Sequence, residues 1–553
     1  MNRTPDKPLN PLNPLYYLDN FHQVLAWIAE RYNDLLSAEE RAFLDRFPSL
    51  PQASRALLVR MVMRKGNLFR ASKLRYEEIG DTREAALPLA AQGWIDDRPV
   101  LTLDEIFSLL NKSEIAVAFG DALPSPQARK LEQLETLREK YTQARHFDAW
   151  HAGADDCVYQ VQIDALCERL RLMFFGNLRQ DWTEFVLSDL GIYRYEKVAF
   201  SASSRGFRMR EDVDMYMHLF RCRERFEQGE APEIILSEIP AKRLDNDWLE
   251  RRRAKLLYQI AQHDERAGAL TDALAIYSAC SHPGARLRAI RVMERLEQFE
   301  SALALAKTAQ KMPEDEAERQ QLMRILPRLH RKLGLPKIPA LPARSVPRID
   351  LDLPEASYSV EWLVAEHLVQ DDAPVFYVEN TLINSLFGLL CWNAVFAAVP
   401  GAFFHPFHAG PADLHSTDFR QRRAKEFDTC LAQLESGEYV QTINRHFAEK
   451  SGILSPFVFW DVLSEELKDL ALDCIPASHL KKCFERMLRD IKANRAGFPD
   501  LIQFWPMEKH YRMIEVKGPG DRLQDNQVRW MDFCIEHGMP VSVCYVRWAG
   551  DAA

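Results

Sequence analysis

Asp500, Glu515 and Lys517 are the residues whose types and spacing point most directly to chemistry. Residues 497–505 (GFPDLIQFW) and 511–517 (YRMIEVK) are strand-like runs joined by the polar stretch 506–510, a pattern that predicts a β-hairpin. The midpoint of Asp500 and Glu515 falls inside that turn, so the hairpin sets the two carboxylates opposite each other. Opposed like charges destabilise a sheet unless something bridges them. A divalent cation is the natural bridge, since magnesium and manganese prefer carboxylate oxygens. Side chains two apart on a strand share a face, so Lys517 stands beside Glu515. Val516 points into the core, yet its carbonyl oxygen lies at the same level and offers a further ligand. A metal there polarises a scissile phosphate and acidifies water, while the lysine orients that water and stabilises charge developing on phosphorus. The chemistry implied is metal-dependent cleavage of nucleic acid.

The bare D-x14-E-x-K spacing equally suits solvated charges on an exposed hairpin. Its surroundings add support: Pro499 before it, Gly518-Pro519-Gly520 after it, then a helix (DNQVRWMDFCIEHG) and a returning strand (PVSVCYV). On that helix Gln527 is a supporting candidate, with a capping or surface amide as the plainer alternative.

The elements that must position these residues belong to a long chain. At 553 residues it suggests two to four domains. Its 47% hydrophobic and 27% charged residues are ordinary for a globular protein. No run approaches the roughly 18 apolar residues of a membrane span, and the polar, proline-rich N-terminus has no apolar signal core. A cytoplasmic protein is expected. Ten scattered cysteines form no CxxC pair, which argues against a zinc ribbon. The net charge of −9, taken alone, argues against nucleic-acid binding, but phosphate is met by local patches. Residues 50–76 hold no acid but carry Arg55, Arg60, Arg64, Lys65, Arg70, Lys73 and Arg75. LLVRMVMRK reads as helix, which puts Arg60 and Arg64 on one face.

Residues 15–46 read as helical, and the stretch around Gly93 resembles a winged-helix corner. Thr102 and Glu105 form a capping box. LDEIFSLLNKSEIAVAFG and KLEQLETLREKY give two short helices across a loop, the outline of a SAP module. Residues 155–340 are almost wholly helical by periodicity. There, 268–277 aligns with 297–306 at an offset of 29 residues, matching Ala273 with Ala302 and Leu274 with Leu303. This resembles tetratricopeptide hairpins as much as any antiparallel helical array. The proline-dense stretch 333–359 reads as a linker to the last domain. The expected fold is α+β and multidomain: a DNA-binding region with a SAP-like module (1–155), TPR-like helical repeats (156–340), and a C-terminal α/β nuclease domain of restriction-endonuclease type (341–553, core about 440–550).

GFPDLI, MIEVKGPGDRL and NQVRWM closely resemble the VRR-NUC domain of the PD-(D/E)xK nucleases. ENTLINSLFGLLCW, from Glu379, resembles the helix that carries an additional metal-binding glutamate in the Fanconi-associated nuclease family. LLVRMVMRKGNLFRASKLRYEEIGD resembles the same family. The chain is identified as a bacterial-type member. The resemblance implies a metal site of Glu379, Asp500, Glu515 and the Val516 carbonyl, holding Mn2+ or Mg2+, with Asp500, Glu515 and Lys517 catalytic. Glu379 lies 121 residues before Asp500; by periodicity alone it is a lone acid opening an apolar helix (about 377–398). The resemblance further implies a phosphodiesterase I type endonuclease and 5′-exonuclease. It would cut branched or 5′-flap double-stranded DNA in repair, including interstrand-crosslink repair, near the nucleoid. Arg60, Arg64, Lys65 and Tyr17 (or Tyr16) match positions of a pocket for a 5′-terminal phosphate.

Three other readings compete. His405, His408 and His415 with Asp413 have zinc-like spacing. A helical-repeat adaptor with an inactive nuclease domain is argued against by the intact Asp, Glu and Lys. A dimeric Holliday-junction resolvase is argued against by the long N-terminal region, which favours a monomer on asymmetric flaps.

Overall fold

The computed structural model describes residues 13–549, apart from 124–127, 183, 186, 187, 189, 190, 201–203, 340–344 and 356. The chain divides into two units: 1–194 with 205–213, and 195–204 with 214–553.

In the first unit the expected helix over 15–46 is two helices, Tyr16–Tyr32 and Ala38–Arg46. The break lies at Ser37, whose side chain accepts from the Glu40 amide while Glu40 returns to the Ser37 amide. Glu40 is wholly buried and its charge is met by Arg169 at 2.6 Å and Arg210 at 2.5 Å. The next helix, Gln52–Val62, stops short of Arg64, so the expected shared face with Arg60 is not formed. An antiparallel sheet joins Leu68–Arg70, Val158–Val161 and Ile95–Asp96 in that order. Residues 158–161, read as helical from sequence, are thus its central strand. Among the described residues, the SAP-like stretch has three α-helices rather than two: Leu103–Leu109, Lys112–Phe119 and Lys130–Arg138. A second capping box, Asn111 with Glu114, divides the first expected helix.

The second unit contains an array of antiparallel helices: Asp247–Ala267, Leu270–Ala279, Ala285–Arg295, Phe299–Lys311 and Glu316–Lys332. Ala273 and Ala302 are fully buried where successive helices meet, as the repeat requires. Gly268 and Glu297 both take positive φ at the equivalent turns, Gly268 at no steric cost and Glu297 against its side chain's preference.

This unit also holds a sheet of five strands in the order Arg348–Leu353, Val541–Trp548, His510–Lys517, Leu501–Trp505, Val375–Tyr377. The first three are mutually parallel and the last two pairings are antiparallel. Both faces are covered. Leu501, Ile514, Val516, Cys544 and Val546 pack with Val364 of the Val360–Leu368 helix. Ile502, Phe504, Met513, Val541 and Val543 join a larger core built on Leu386, Phe387, Phe484 and Trp530. The strand Arg348–Leu353 lies inside the expected linker. Its Ile349, Leu351 and Leu353 alternate with Asp350 and Asp352, the mark of an edge strand, which the flanking prolines obscured. Among the described residues no helix is long and apolar enough to cross a membrane.

Candidate active site

The hairpin forms in the register expected from its midpoint. Leu501 pairs with Ile514 and Trp505 with His510, closed by the 3-10 turn Pro506–Glu508 and by Lys509 at φ 49°. Continuing that register by one residue sets Asp500 against Glu515. The Val516 amide donates to Asp500 Oδ2 at 2.8 Å, which fixes the Asp500 carboxylate at the strand end. By alternation Asp500 follows the Ile502 and Phe504 face, and Glu515 follows Tyr511 and Met513. Lys517 Nζ is 2.6 Å from Glu515 Oε1 as an ion pair. The other oxygen, Oε2, accepts no hydrogen bond, although the residue has no solvent exposure.

Glu379 reaches the same place through a second antiparallel pairing. Tyr377 pairs with Leu501, and the Val378 amide donates to the Asp500 carbonyl at 2.8 Å. Glu379 therefore leaves the strand Val375–Tyr377 beside Asp500 and precedes the helix Leu382–Leu390 instead of opening it. Tyr377 Oη donates to Glu379 Oε2 at 2.6 Å and Asn380 Nδ2 to Oε1 at 3.1 Å. Asn380, at φ 52°, also accepts from the Gly497 and Phe498 amides through Oδ1, at 2.7 and 3.1 Å. One side chain thus ties Glu379 to the turn that delivers Asp500. Sequence reasoning missed it; an Asn directly after the glutamate, suited to left-handed backbone, was the available signal. Gly497 takes φ 100°, and a Cβ there would lie 2.8 Å from the Asn526 backbone carbon. Only glycine lets the Asp525–Glu536 helix approach this turn. On that helix Gln527 is buried and its Oε1 accepts from the Gln524 amide at 2.8 Å, the capping arrangement weighed above.

Burial pushes the Glu515 carboxyl up to about 8; the Asp500 charge adds to this and Lys517 opposes it. Burial also lifts Asp500 to about 6, against the lowering effect of the Val516 amide. Three carboxylates against one ammonium, with Glu515 Oε2 buried and unbonded, leave excess negative charge that a hard divalent cation fits. The set is open: among the described residues the trio of metal-ligand atoms lying within 4.8 Å of one another is His218, Cys222 and Glu238, not these three. In that other trio the Glu238 carboxylate is already engaged by Arg225 at 2.7 and 2.8 Å.

The raised values make a prediction. A carboxyl whose folded pKa exceeds its unfolded value stabilises the fold at low pH and loses that contribution as pH rises through the folded value. For Asp500 and Glu515 the loss runs from about pH 4 to about 8. Manganese, which binds the ionised carboxylates, should raise Tm little at pH 5.5 and by several degrees at pH 8. An equal increment at both pH values in thermal scans would rule out a site made of these groups.

The histidine cluster does not assemble as a metal site. Asp413 accepts from Arg422 at 2.6 Å and from Arg423 at 2.9 Å. His405 and His408 accept from the Phe407 and Phe404 amides. These groups hold their own loop together.

In the first unit Arg60 lies over the Tyr17 ring at 3.8 Å and pairs with Glu78 at 2.6 Å, which also accepts from Tyr17 Oη at 3.1 Å. Arg64 and Lys65 are exposed beyond the helix end. Arg70 is buried between Asp156 and Glu114, at 2.8 and 2.7 Å, and so belongs to the core rather than to a surface patch.

Comparison with known proteins gives a consistent set of likenesses. The family profiles "FAN1, HTH domain", "Fanconi anemia-associated nuclease SAP domain" and "VRR-NUC domain" match residues 15–96, 100–150 and 434–548. A Fanconi-associated nuclease 1 homolog of Pseudomonas aeruginosa is 58% identical over 540 residues, 97% of each chain. A homolog from Arabidopsis thaliana is 23% identical over 594 residues, 96% of this chain and 67% of the other. The crystal structure of paFAN1 bound to gapped DNA with a 2-nt 5′ flap superposes with a TM-score of 0.96, at 58% identity, over 98% of this chain and all of that one. The complex with a 1-nt 5′ flap gives 0.93 over the same shares.

Proposed function

Since this chain belongs to the Fanconi-associated nuclease 1 family, we propose that it cuts 5′-flap and related branched DNA by metal-dependent hydrolysis and trims strands from the 5′ side. The role is DNA repair, including of interstrand crosslinks, in the cytoplasm at the nucleoid. The observation that carries the reading is Glu515, buried opposite Asp500 with Oε2 unbonded and Oε1 2.6 Å from the Lys517 ammonium. Glu379, Asp500, Glu515 and the Val516 carbonyl would hold Mn2+ or Mg2+, and that ion would polarise the scissile phosphate. Lys517 orients the attacking water and neutralises negative charge building on the phosphoryl oxygens. The water oxygen bonds to phosphorus as the bond to the leaving oxygen breaks. The Val516 amide keeps Asp500 in place, while Tyr377 and Asn380 keep Glu379 in place. The three-part division at residues 155 and 340 and a monomer acting on asymmetric flaps complete the reading.

End-labelled 5′-flap, 3′-flap and four-way substrates, with manganese and with chelator, test it. Metal-dependent cutting confined to 5′ flaps is expected; symmetric cutting of four-way junctions points to a resolvase instead, and no cutting to an adaptor. Tyr17, Arg60, Arg64 and Lys65 are proposed to take the 5′-terminal phosphate, a monoester with more charge than an internal diester. Replacing Arg60 and Arg64 by glutamine should therefore reduce the preference for a phosphorylated flap. An equal loss on phosphorylated and unphosphorylated flaps would show that the two arginines do not read the end.

A further inference from the structure

Exposed aromatic side chains that cluster in one place are informative, because their burial is worth so much. Among the described residues the exposed aromatics are Tyr193, Tyr358, Trp362 and Tyr377. Three of these four stand at one end of the five-stranded sheet, the end that carries the carboxylates. The topology makes this so. The strands Arg348–Leu353, Val375–Tyr377 and His510–Lys517 all finish at that end, and Leu501–Trp505 starts there. Tyr358 and Trp362 lie just past Leu353, around the N-terminus of the Val360–Leu368 helix, and Tyr377 closes its own strand.

The helix end bearing Trp362 sits against the catalytic strand. A Cβ placed on Gly518, the residue after Lys517, would lie 3.4 Å from Val360 Cγ2. Glu361, between Val360 and Trp362, is near enough for its charge to act on Asp500 and on Tyr377. The Tyr358 and Trp362 rings lie against each other at a tilt, with centroids 4.4 Å apart and planes at 33°. They remain 62% and 45% exposed, so an outer ring face is open to solvent. Tyr377 is engaged by Glu379 and belongs to the site already described. The Tyr358–Trp362 pair has no such task.

We propose that Tyr358 and Trp362 form a platform on which an unpaired base of the DNA strand stacks beside the phosphate to be cut. This rests on the DNA-cleaving reading above. Aromatic rings bind bases of any sequence through their π faces, so the platform reads single-strandedness rather than sequence. It holds a strand that has left the duplex, next to Lys517 and Asp500, and helps confine cleavage to branched DNA.

The test uses 5′-flap DNA with 2-aminopurine placed singly at successive nucleotides around the cut, bound to the full chain carrying Asp500→Asn. Quenching at one position is expected, lost with Trp362→Ala or Tyr358→Ala and restored with Trp362→Phe. In the cleavage-competent chain, Trp362→Ala should raise KM roughly 10-fold. An abasic nucleotide at the quenched position should impose the same penalty on the unsubstituted chain and none on the variant. Quenching at no position, quenching unchanged by either alanine, or an equal effect of Trp362→Ala on intact and abasic DNA overturns the platform. Both rings are exposed, so the fold tolerates their removal. The quenching arm needs no cleavage, so it decides the platform separately from whether the unsubstituted chain cuts flaps, which decides the function.

Discussion

Asp500→Ala will lower cleavage of 5′-flap DNA by roughly a thousandfold or more, the scale on which a catalytic site loses one of its electrostatic elements. Asp500 is where three constraints meet. It opens the strand Leu501–Trp505, it accepts the Val516 amide, and its backbone carbonyl accepts the Val378 amide that brings Glu379 alongside. Alanine keeps the backbone pairing and removes only the carboxylate. The Val516 amide then lacks its acceptor, at about 1–3 kcal/mol for a buried group. Loss of the Asp500 charge relieves Glu515 and offsets part of that cost. The variant should stay folded and bind flap DNA with near-normal affinity, while manganese no longer raises its Tm. Gel-shift, cleavage and thermal measurements on one preparation check all three. Near-normal cutting by the variant would remove the site from this part of the chain.

Lys517→Ala should cost roughly a hundredfold or more in kcat while leaving metal-dependent stabilisation in place. The side chain has two tasks. It lies 2.6 Å from Glu515, and its charge lowers the Glu515 pKa against burial. Without it Glu515 holds its proton to higher pH. Since ionised Glu515 is the form a cation binds, the remaining activity and the manganese effect on Tm should both shift to higher pH. A purely structural lysine would leave the pH profile where it was. A profile unchanged in position, with kcat near normal, would sink the assignment.

How far the site was legible depends on how local each contact is. The hairpin was readable because two short runs, a polar turn and a midpoint specify one register, and the pairs Leu501 with Ile514 and Trp505 with His510 follow from it. The helix breaks at Ser37 and Asn111 use the same capping pattern that marked Thr102 and Glu105, so that signal was present at all three positions and read at one. The strand Arg348–Leu353 carried its alternation openly, but five nearby prolines pointed to a linker. The basic run at 50–76 was legible as charge but not as placement. Charge along the sequence does not reveal that Asp156 and Glu114 will enclose Arg70, or that Glu78 will hold Arg60.

Asp500, Glu515 and Lys517 were thus determined by the sequence itself, because a hairpin closes over a short loop and its register is set by residues within reach of one another. The resemblance to relatives added Glu379, which spacing alone did not distinguish from any acid before an apolar helix. Tertiary structure decided the rest. The pairing of Val375–Tyr377 with Leu501–Trp505 joins segments more than a hundred residues apart. That one pairing brings Glu379, Tyr377 and Asn380 to Asp500. The edge strand Arg348–Leu353 likewise delivers Tyr358 and Trp362 to the same end of the sheet. Burial of Glu515 with one oxygen unbonded, the feature on which the proposed metal site rests, is a property of the packed sheet and of no stretch of sequence.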